Sequence, residues 1–136
     1  MAETITWTPS MSVGVVEIDN QHKEFIKIIS DFYNAFEENK LKTELENTLK
    51  KLIEYADFHF KTEEAYFDKF DYEFKDEHKK EHEKIRQKAL LFLERFKEEG
   101  ADIVIEFMEF ITDWLVDHLE EQDQKYVKCF HDHGLF

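Results

Sequence analysis

Apolar side chains recur along most of the chain at steps that alternate between three and four residues. The first stretch with this pattern consists of Ile18, His22, Phe25, Ile29, Phe32 and Phe36. Steps of three and four residues return a side chain to the same face of an α-helix, so such a stretch predicts a helix with one buried seam. Four stretches show the pattern, and we therefore predict four amphipathic helices.

The other three stretches give the remaining predicted seams. The second seam consists of Leu45, Leu49, Leu52, Ala56, His59, Glu63, Tyr66 and Phe70. The third consists of His78, His82, Ile85, Ala89, Phe92 and Phe96, and the fourth of Val104, Phe107, Ile111, Trp114 and His118. The predicted links, 39–41, 71–73 and 100–102, are short, and short links force neighbouring helices to run antiparallel. The sequence therefore predicts an all-α fold, an up-down-up-down antiparallel four-helix bundle.

The bundle is predicted to occupy residues 19–130 of a single domain. Residues 1–18 are expected to form an irregular N-terminal arm, because Pro9 and Gly14 oppose a long helix. Residues 131–136 are expected to form a polar C-terminal tail. With three glycines and one proline, the chain also lacks the turn residues that an all-β fold requires.

The formal net charge of −14 excludes several classes of partner. A strongly acidic surface repels phosphate backbones and anionic lipid head groups, so neither nucleic acid nor a membrane is an expected partner. No apolar run approaches the roughly 20 residues of a membrane span, and the first residues do not resemble a signal peptide, so a cytoplasmic location is expected. Cys129 is the sole cysteine, and no intramolecular disulfide is expected.

Several polar residues occupy seam positions where leucine would be expected. They are His22, His59, Glu63, His78, His82 and His118. In an up-down-up-down bundle, the starts of the first and third helices lie at the same end of the molecule as the ends of the second and fourth. Each of the six residues falls near one of these starts or ends. We therefore predict that they converge on one level of the core.

Asp123 joins this set only if the fourth helix is irregular. Five residues of a regular α-helix turn about 500°, which leaves Asp123 about 140° away from His118. A one-residue π-type bulge between them would bring both side chains to one face, and such bulges often occur at functional sites. We therefore predict a π turn here. A regular hydrogen-bond ladder through residues 114–127 would contradict it.

Seven ionisable groups in an aromatic core need a compensating ligand, since each would otherwise cost on the order of a few kcal/mol. One zinc ion takes four ligands, and calcium and magnesium prefer oxygen donors. Two six-coordinate iron ions would use five imidazoles, two bridging carboxylates and one oxo or hydroxo bridge, which leaves one position open. These donors suit iron, but they do not by themselves exclude copper, nickel or zinc.

The motifs HFKTE, HKKEH and HLEEQD, preceded by IDNQH, resemble those of the hemerythrin family, and in particular its single-domain bacterial members. The resemblance extends from Trp7 to about Cys129. It implies three groups of metal ligands: His78, His82 and His118 on the coordinatively full iron, His22 and His59 on the iron with the open position, and Glu63 and Asp123 as bridges.

The function that this resemblance implies is reversible dioxygen binding at the open position, by an oxygen carrier, store or sensor that is not an enzyme. Small anions are expected as alternative ligands there. The candidate pocket wall consists of Phe25, Trp114, Leu115 and Leu119, with plain core packing as the alternative reading of each. The family often has methionine at the position of Phe67 and glycine at that of Asp71, so pocket shape and link geometry differ here.

Two other functional classes stay open. The same pair of ions would serve an enzyme that reduces peroxide, oxygen or nitric oxide, although the predominance of histidine donors and the lack of an obvious proton relay weigh against it. A metal-free interaction bundle would fold equally well in chelator.

Some polar residues near the predicted ligands have simpler expected roles. Glu64, Glu120 and Glu121 are expected to form a solvated face. Asp19 is expected to cap the first helix or to accept a proton from a ligand imidazole, and His131 and His133 are expected to be solvated.

Overall fold

The computed structural model describes residues 6–136, which form an antiparallel helical bundle. The helices are α1 (Val16–Glu37), α2 (Lys42–Lys69), α3 (Lys75–Glu99), α4 (Val104–Asp117) and α5 (Val127–Asp132). Short 3₁₀ turns lie at Pro9–Met11, Gly100–Ile103 and Asp123–Tyr126, and a π-helical turn lies at His118–Gln122. The predicted fold class is confirmed. The fourth helix of the prediction consists of α4, the π turn, the last 3₁₀ turn and α5 in succession.

Two clusters of buried apolar side chains fill the bundle. The larger cluster is rich in phenylalanine, and Phe32, Phe96 and Phe107 in it are at most 1% exposed. The smaller one, which we call the end cluster, consists of Val13, Val15, Ile18, Phe67, Tyr72, Tyr126 and Phe130. Side chains of the end cluster lie against His78, whose ring centroid is 4.8 Å from that of Phe67. The buried histidines therefore border an apolar cluster at one end of the bundle.

The N-terminal arm is attached to the bundle more firmly than its sequence predicts. Residues 1–5 of the predicted arm lie outside the described residues, and α1 begins at Val16, three residues before the predicted bundle boundary. Asp19 neither caps α1 nor meets an imidazole. Its carboxylate accepts hydrogen bonds from the Val13 amide at 2.9 Å and the Ser12 hydroxyl at 2.6 Å, and so fixes the arm to the first turns of α1.

The C-terminal segment also packs against the bundle. α5 continues two residues past the predicted boundary at residue 130, and Leu135 lies against the end cluster. The His131 ring donates from Nε2 to the Gly14 carbonyl oxygen at 2.9 Å, whereas His133 is exposed. Gly14 has a φ of +65°, and a Cβ there would lie 2.9 Å from Nε2 of His131. The arm and the C-terminal segment therefore meet at a position that favours glycine.

The links agree with the sequence prediction to within one or two residues. They occupy 38–41, 70–74 and 100–103. Asp71 has a φ of +49°, in the left-handed region that glycine adopts at the lowest cost. The backbone at this position therefore favours glycine, and Asp71 adopts the conformation at a higher cost.

None of the helices within residues 6–136 combines the length and the apolar character needed to cross a membrane.

Candidate metal centre

Seven polar side chains meet inside the bundle at one level. His22 lies on α1, His59 and Glu63 on α2, His78 and His82 on α3, His118 in the π turn, and Asp123 in the 3₁₀ turn that follows. Each is at most 5% exposed. His59 and Glu63, like His78 and His82, are four residues apart and therefore share a helix face. The structure brings together all seven residues that the sequence singles out.

Four of these side chains form what we call the two-histidine group: His22, His59, Glu63 and Asp123. Each offers a donor atom, and these atoms all lie within 4.8 Å of one another. Nε2 of His22 is 2.9 Å from Nε2 of His59 and 3.2 Å from Oδ2 of Asp123. Nε2 of His59 is 2.9 Å from Oε1 of Glu63. The spacing suits one cation among the four side chains.

A second set, the three-histidine group, consists of Glu63, His78, His82 and His118, with donor atoms again within 4.8 Å of one another. Glu63 belongs to both groups. Asp123 also reaches both, because its Oδ2 faces His22 while its Oδ1 lies 3.1 Å from Nε2 of His78 and 2.9 Å from Nε2 of His118. The two carboxylates therefore lie where they could bridge two neighbouring cations.

The hydrogen bonding of these donors tests whether a metal fits. Within residues 6–136, both carboxylate oxygens of Glu63 and of Asp123, and Nε2 of His82, are buried without a partner in hydrogen-bonding geometry. These atoms lie close to side-chain nitrogens or oxygens of other residues of the centre, but the angles do not allow a hydrogen bond. Buried carboxylates left without partners are costly, and cations at the points that the donor atoms share would satisfy them. The residues fit a pair of metal ions.

The protonation states of Glu63 and Asp123 also support metal binding. Burial and the charge of Asp123 act to raise the pKa of Glu63, but interactions with His59 and His82 outweigh them and hold it well below its usual range. Burial likewise opposes ionisation of Asp123, and the charge of His118 with contacts to three imidazoles lowers its pKa well below normal. Both side chains are therefore anionic at neutral pH, the form in which carboxylates bind metals.

The π-helical turn predicted between His118 and Asp123 is present and spans His118–Gln122. The π turn contains one residue more than a regular α-helical turn, so Asp123 lies on the same face as His118 although it is five positions later. Both side chains therefore reach the centre. The exposed side chains of the turn, Glu120 and Glu121, face away from it, as expected. The local helix geometry thus places one histidine and one carboxylate at the centre together.

Shortening this turn by one residue is expected to preserve metal binding, whereas lengthening it by one residue is expected to weaken it. Deleting Glu121 leaves histidine and aspartate four residues apart, which suits a regular α-helix, so metal binding should be retained. Inserting one alanine after Glu121 makes the separation six residues, about 240° past a full turn, and should cost at least one of the two ions. Metal content per chain measures both effects. Loss of metal in both variants would contradict this account of the π turn.

A small cavity of about 10 Å³ adjoins the two-histidine group. Its lining includes all four predicted wall residues, Phe25, Trp114, Leu115 and Leu119, together with Phe60, His22, His59 and His118. The volume is at the lower limit of what a single water-sized molecule needs, about 10–15 Å³. The Phe60 ring is 1% exposed and stacks on His82 with centroids 4.1 Å apart. Phe60 is not among the predicted wall residues, because it follows His59 directly and so lies off the predicted seam.

Two residues outside the predicted set orient the imidazoles. Nδ1 of His59 lies 2.8 Å from the amide oxygen of Gln21, and Nδ1 of His82 lies 2.7 Å from Oε2 of Glu64. In each case the Nδ1–H donates, which leaves the Nε2 lone pair for a metal. The expectation that Glu64 lies on a solvated face is wrong. Burial opposes its ionisation, but the hydrogen bond from His82 and the charges of His82 and Arg86 lower its pKa.

The fold and the centre define the class of protein: a helical bundle with a buried cluster of histidines and carboxylates that could hold a metal. The family profile described as the hemerythrin HHE cation binding domain matches residues 13–130, and the chain belongs to this family. The resemblance that the sequence motifs indicate is thereby confirmed.

Individual relatives match over most of their length. The chain is 35% identical to a hemerythrin-like protein of Naegleria gruberi over 131 residues, which cover 93% of this chain and 97% of the relative. It is 28% identical to a bacteriohemerythrin of Pseudomonas aeruginosa (strain LESB58), with 90% of this chain and 79% of the relative covered. A crystal structure of wild-type hemerythrin superposes with a TM-score of 0.85 at 28% identity, over 93% and 98% of the two chains.

Proposed function

We propose that the chain binds dioxygen reversibly at a centre of two iron ions, as an oxygen carrier, store or sensor. The observation that carries the proposal is the position of the apolar cavity beside a pair of donor groups that share Glu63. The names of the relatives and the family description support the same assignment. When bound, the iron pair supplies the electrons and the open coordination position for the gas.

The two donor groups supply different numbers of imidazole ligands. The three-histidine group offers three imidazoles, and the two-histidine group offers two. With Glu63 and Asp123 shared between them, we propose that His78, His82 and His118 complete one iron while His22 and His59 leave a position open on the other. The cavity borders both His22 and His59. The open position would therefore face the cavity.

The cavity wall favours reversibility. Phe25, Leu115 and Leu119 are at most 3% exposed, and their side chains carry no proton donor. A wall of this kind keeps water and acids away from the gas, so the residues that build it favour release of dioxygen unchanged over its reduction. Small anions that reach the cavity would compete for the same position.

The proposal predicts a reversible spectral change. The reduced, iron-supplied protein should contain two irons per chain, in line with the two donor groups. Exposure to air should produce a visible charge-transfer band that disappears under argon and returns in later cycles. Elemental analysis combined with absorption spectroscopy measures both properties, and azide should displace the gas-dependent band.

His78 provides the matched variant for this experiment. Replacing His78 with alanine removes one imidazole from the three-histidine group and should abolish both the full iron content and the band. The exposed His133, replaced in the same way, is the control and should change neither. A single iron in the unmodified protein would contradict the proposal. Steady consumption of oxygen, peroxide or nitric oxide far above the autoxidation rate would replace it with the enzyme alternative.

A further inference from the structure

Two imidazoles of the centre, His59 and His82, donate from Nδ1 to side chains of different charge. His59, in the two-histidine group, donates to the neutral amide oxygen of Gln21 at 2.8 Å. His82, in the three-histidine group, donates to the carboxylate of Glu64 at 2.7 Å. Gln21 is oriented by its own amide nitrogen, which donates to the Thr62 hydroxyl at 3.4 Å. The Nδ1 acceptor is therefore uncharged for His59 in the two-histidine group and anionic for His82 in the three-histidine group.

Arg86 holds the Glu64 carboxylate in place. Nη2 of Arg86 donates to Oε2 of Glu64 at 3.1 Å, the same oxygen that accepts from His82. Nε of Arg86 donates to Asp57 at 2.9 Å, which fixes the guanidinium between two residues of α2. His82 and Arg86 are four residues apart on α3, so both reach α2 from one face. Glu64 and Arg86 are about one-fifth exposed, and their pairing is therefore shielded from full solvent screening.

We infer that Glu64 and Arg86 set the electron-donor strength of His82, so that the three-histidine group favours ferric iron more than the two-histidine group does. This inference rests on the proposed di-iron function. A carboxylate that attracts the Nδ1 proton raises the electron density at Nε2, the atom that would bind the metal. Hydrogen bonds to an ionised acceptor are about twice as strong as neutral ones, so Gln21 exerts the weaker effect on His59. The positive charge of Arg86 limits the effect of Glu64.

Two substitutions separate this electronic role from a purely structural one, because they should move the reduction potential in opposite directions. Glu64→Gln removes the anionic acceptor and should raise the midpoint potential of the iron centre. Arg86→Met removes the cation that tempers Glu64 and should lower it. A shift of about tenfold in the ratio of oxidised to reduced centre, ~59 mV for a one-electron couple, is the size expected in each case. If the pair merely held His82 in position, both variants would shift the potential the same way.

Gln21→Glu provides a test at the other half of the centre. It places a carboxylate behind His59 and should lower the potential, as Arg86→Met does. Glu94→Gln is the matched control, since it removes one negative charge from an exposed site on α3. The potential should stay unchanged in this control. An equal rise in Glu94→Gln and Glu64→Gln would reduce the effect to net charge and overturn the inference.

Nitrogen NMR of the iron-free protein gives a reading that does not depend on metal loading. The His82 Nδ1–H resonance should be strongly shifted downfield and protected from solvent exchange in the unmodified chain and in Arg86→Met. It should move upfield in Glu64→Gln. If Glu64→Gln fails to hold iron, this spectrum still decides the question, and an unchanged His82 resonance would overturn the inference.

Failure of this inference can be told apart from failure of the proposed function. Reversible gas binding together with a potential that ignores Glu64→Gln would reject the role of Glu64 alone. Opposite potential shifts in a protein that does not bind dioxygen reversibly would reject the oxygen-binding proposal and leave the role of Glu64 intact.

Discussion

Replacement of Glu63 with glutamine is expected to reduce the iron content from the proposed two ions per chain to less than one. Glu63 belongs to both donor groups, and both of its oxygens are buried. Glutamine keeps the shape but supplies a neutral, weaker oxygen donor, and the remaining ions would lose their shared anionic bridge. Loss of outer-sphere hydrogen bonds alone costs about 10–100-fold in metal affinity, so we expect more than about 100-fold for a bridging ligand. Elemental analysis after gel filtration measures the change.

Glu94→Gln is the control for this experiment as well, because it removes the same charge from an exposed position. It should keep the full iron content. Circular dichroism should show that both variants remain helical, since glutamine fits the space that Glu63 occupies. A Glu63→Gln protein with two tightly bound irons would show that this carboxylate is not a bridge and would leave the proposed ligand set incorrect.

Removal of the metal is expected to lower the melting temperature by at least about 10 °C. Seven buried polar groups lose the cations that compensate them, and the unfolded chain does not hold the metal in the same way. Free metal at about a thousandfold above its dissociation constant stabilises the native state by about 4 kcal/mol. Calorimetry of the iron-free and iron-loaded protein at the same pH and protein concentration measures the difference.

Equal melting temperatures for the two forms would favour the metal-free interaction bundle over the proposed function. The His78→Ala variant gives an intermediate case, because it should retain part of the donor set. Its melting temperature should therefore respond less to added iron than that of the unmodified chain. The His133→Ala control should respond as the unmodified chain does, since His133 lies outside both donor groups.

The placement of the ligands could be predicted from sequence because helix periodicity alone constrains it. His22, His59 and His82 occupy seam positions, and a seam faces the core whatever the details of packing. The π turn was predictable for a related reason. His118 and Asp123 are five residues apart, and they can share a helix face only if the turn between them holds one extra residue. Both inferences use the geometry within a single helix.

The residues that sequence analysis missed depend on geometry between helices. Phe60 lies beside the seam, and only the angle at which α2 meets α3 and α4 turns its ring onto His82 and towards the cavity. Gln21 and Glu64 would both read as surface residues. Their contacts with His59 and His82 depend on the axial offset between neighbouring helices, which periodicity does not determine.

The sequence by itself determined the helical class, the four seams, the identity of the inward polar residues and the need for an irregular turn before Asp123. The tertiary structure alone decided which imidazole donates to which acceptor, which ring closes the cavity, and how the arm meets α5 through Gly14 and His131. The physical reason is that a repeat of three and four residues specifies the face of one helix, whereas contacts of 2.7–2.9 Å require the relative rotation and offset of two.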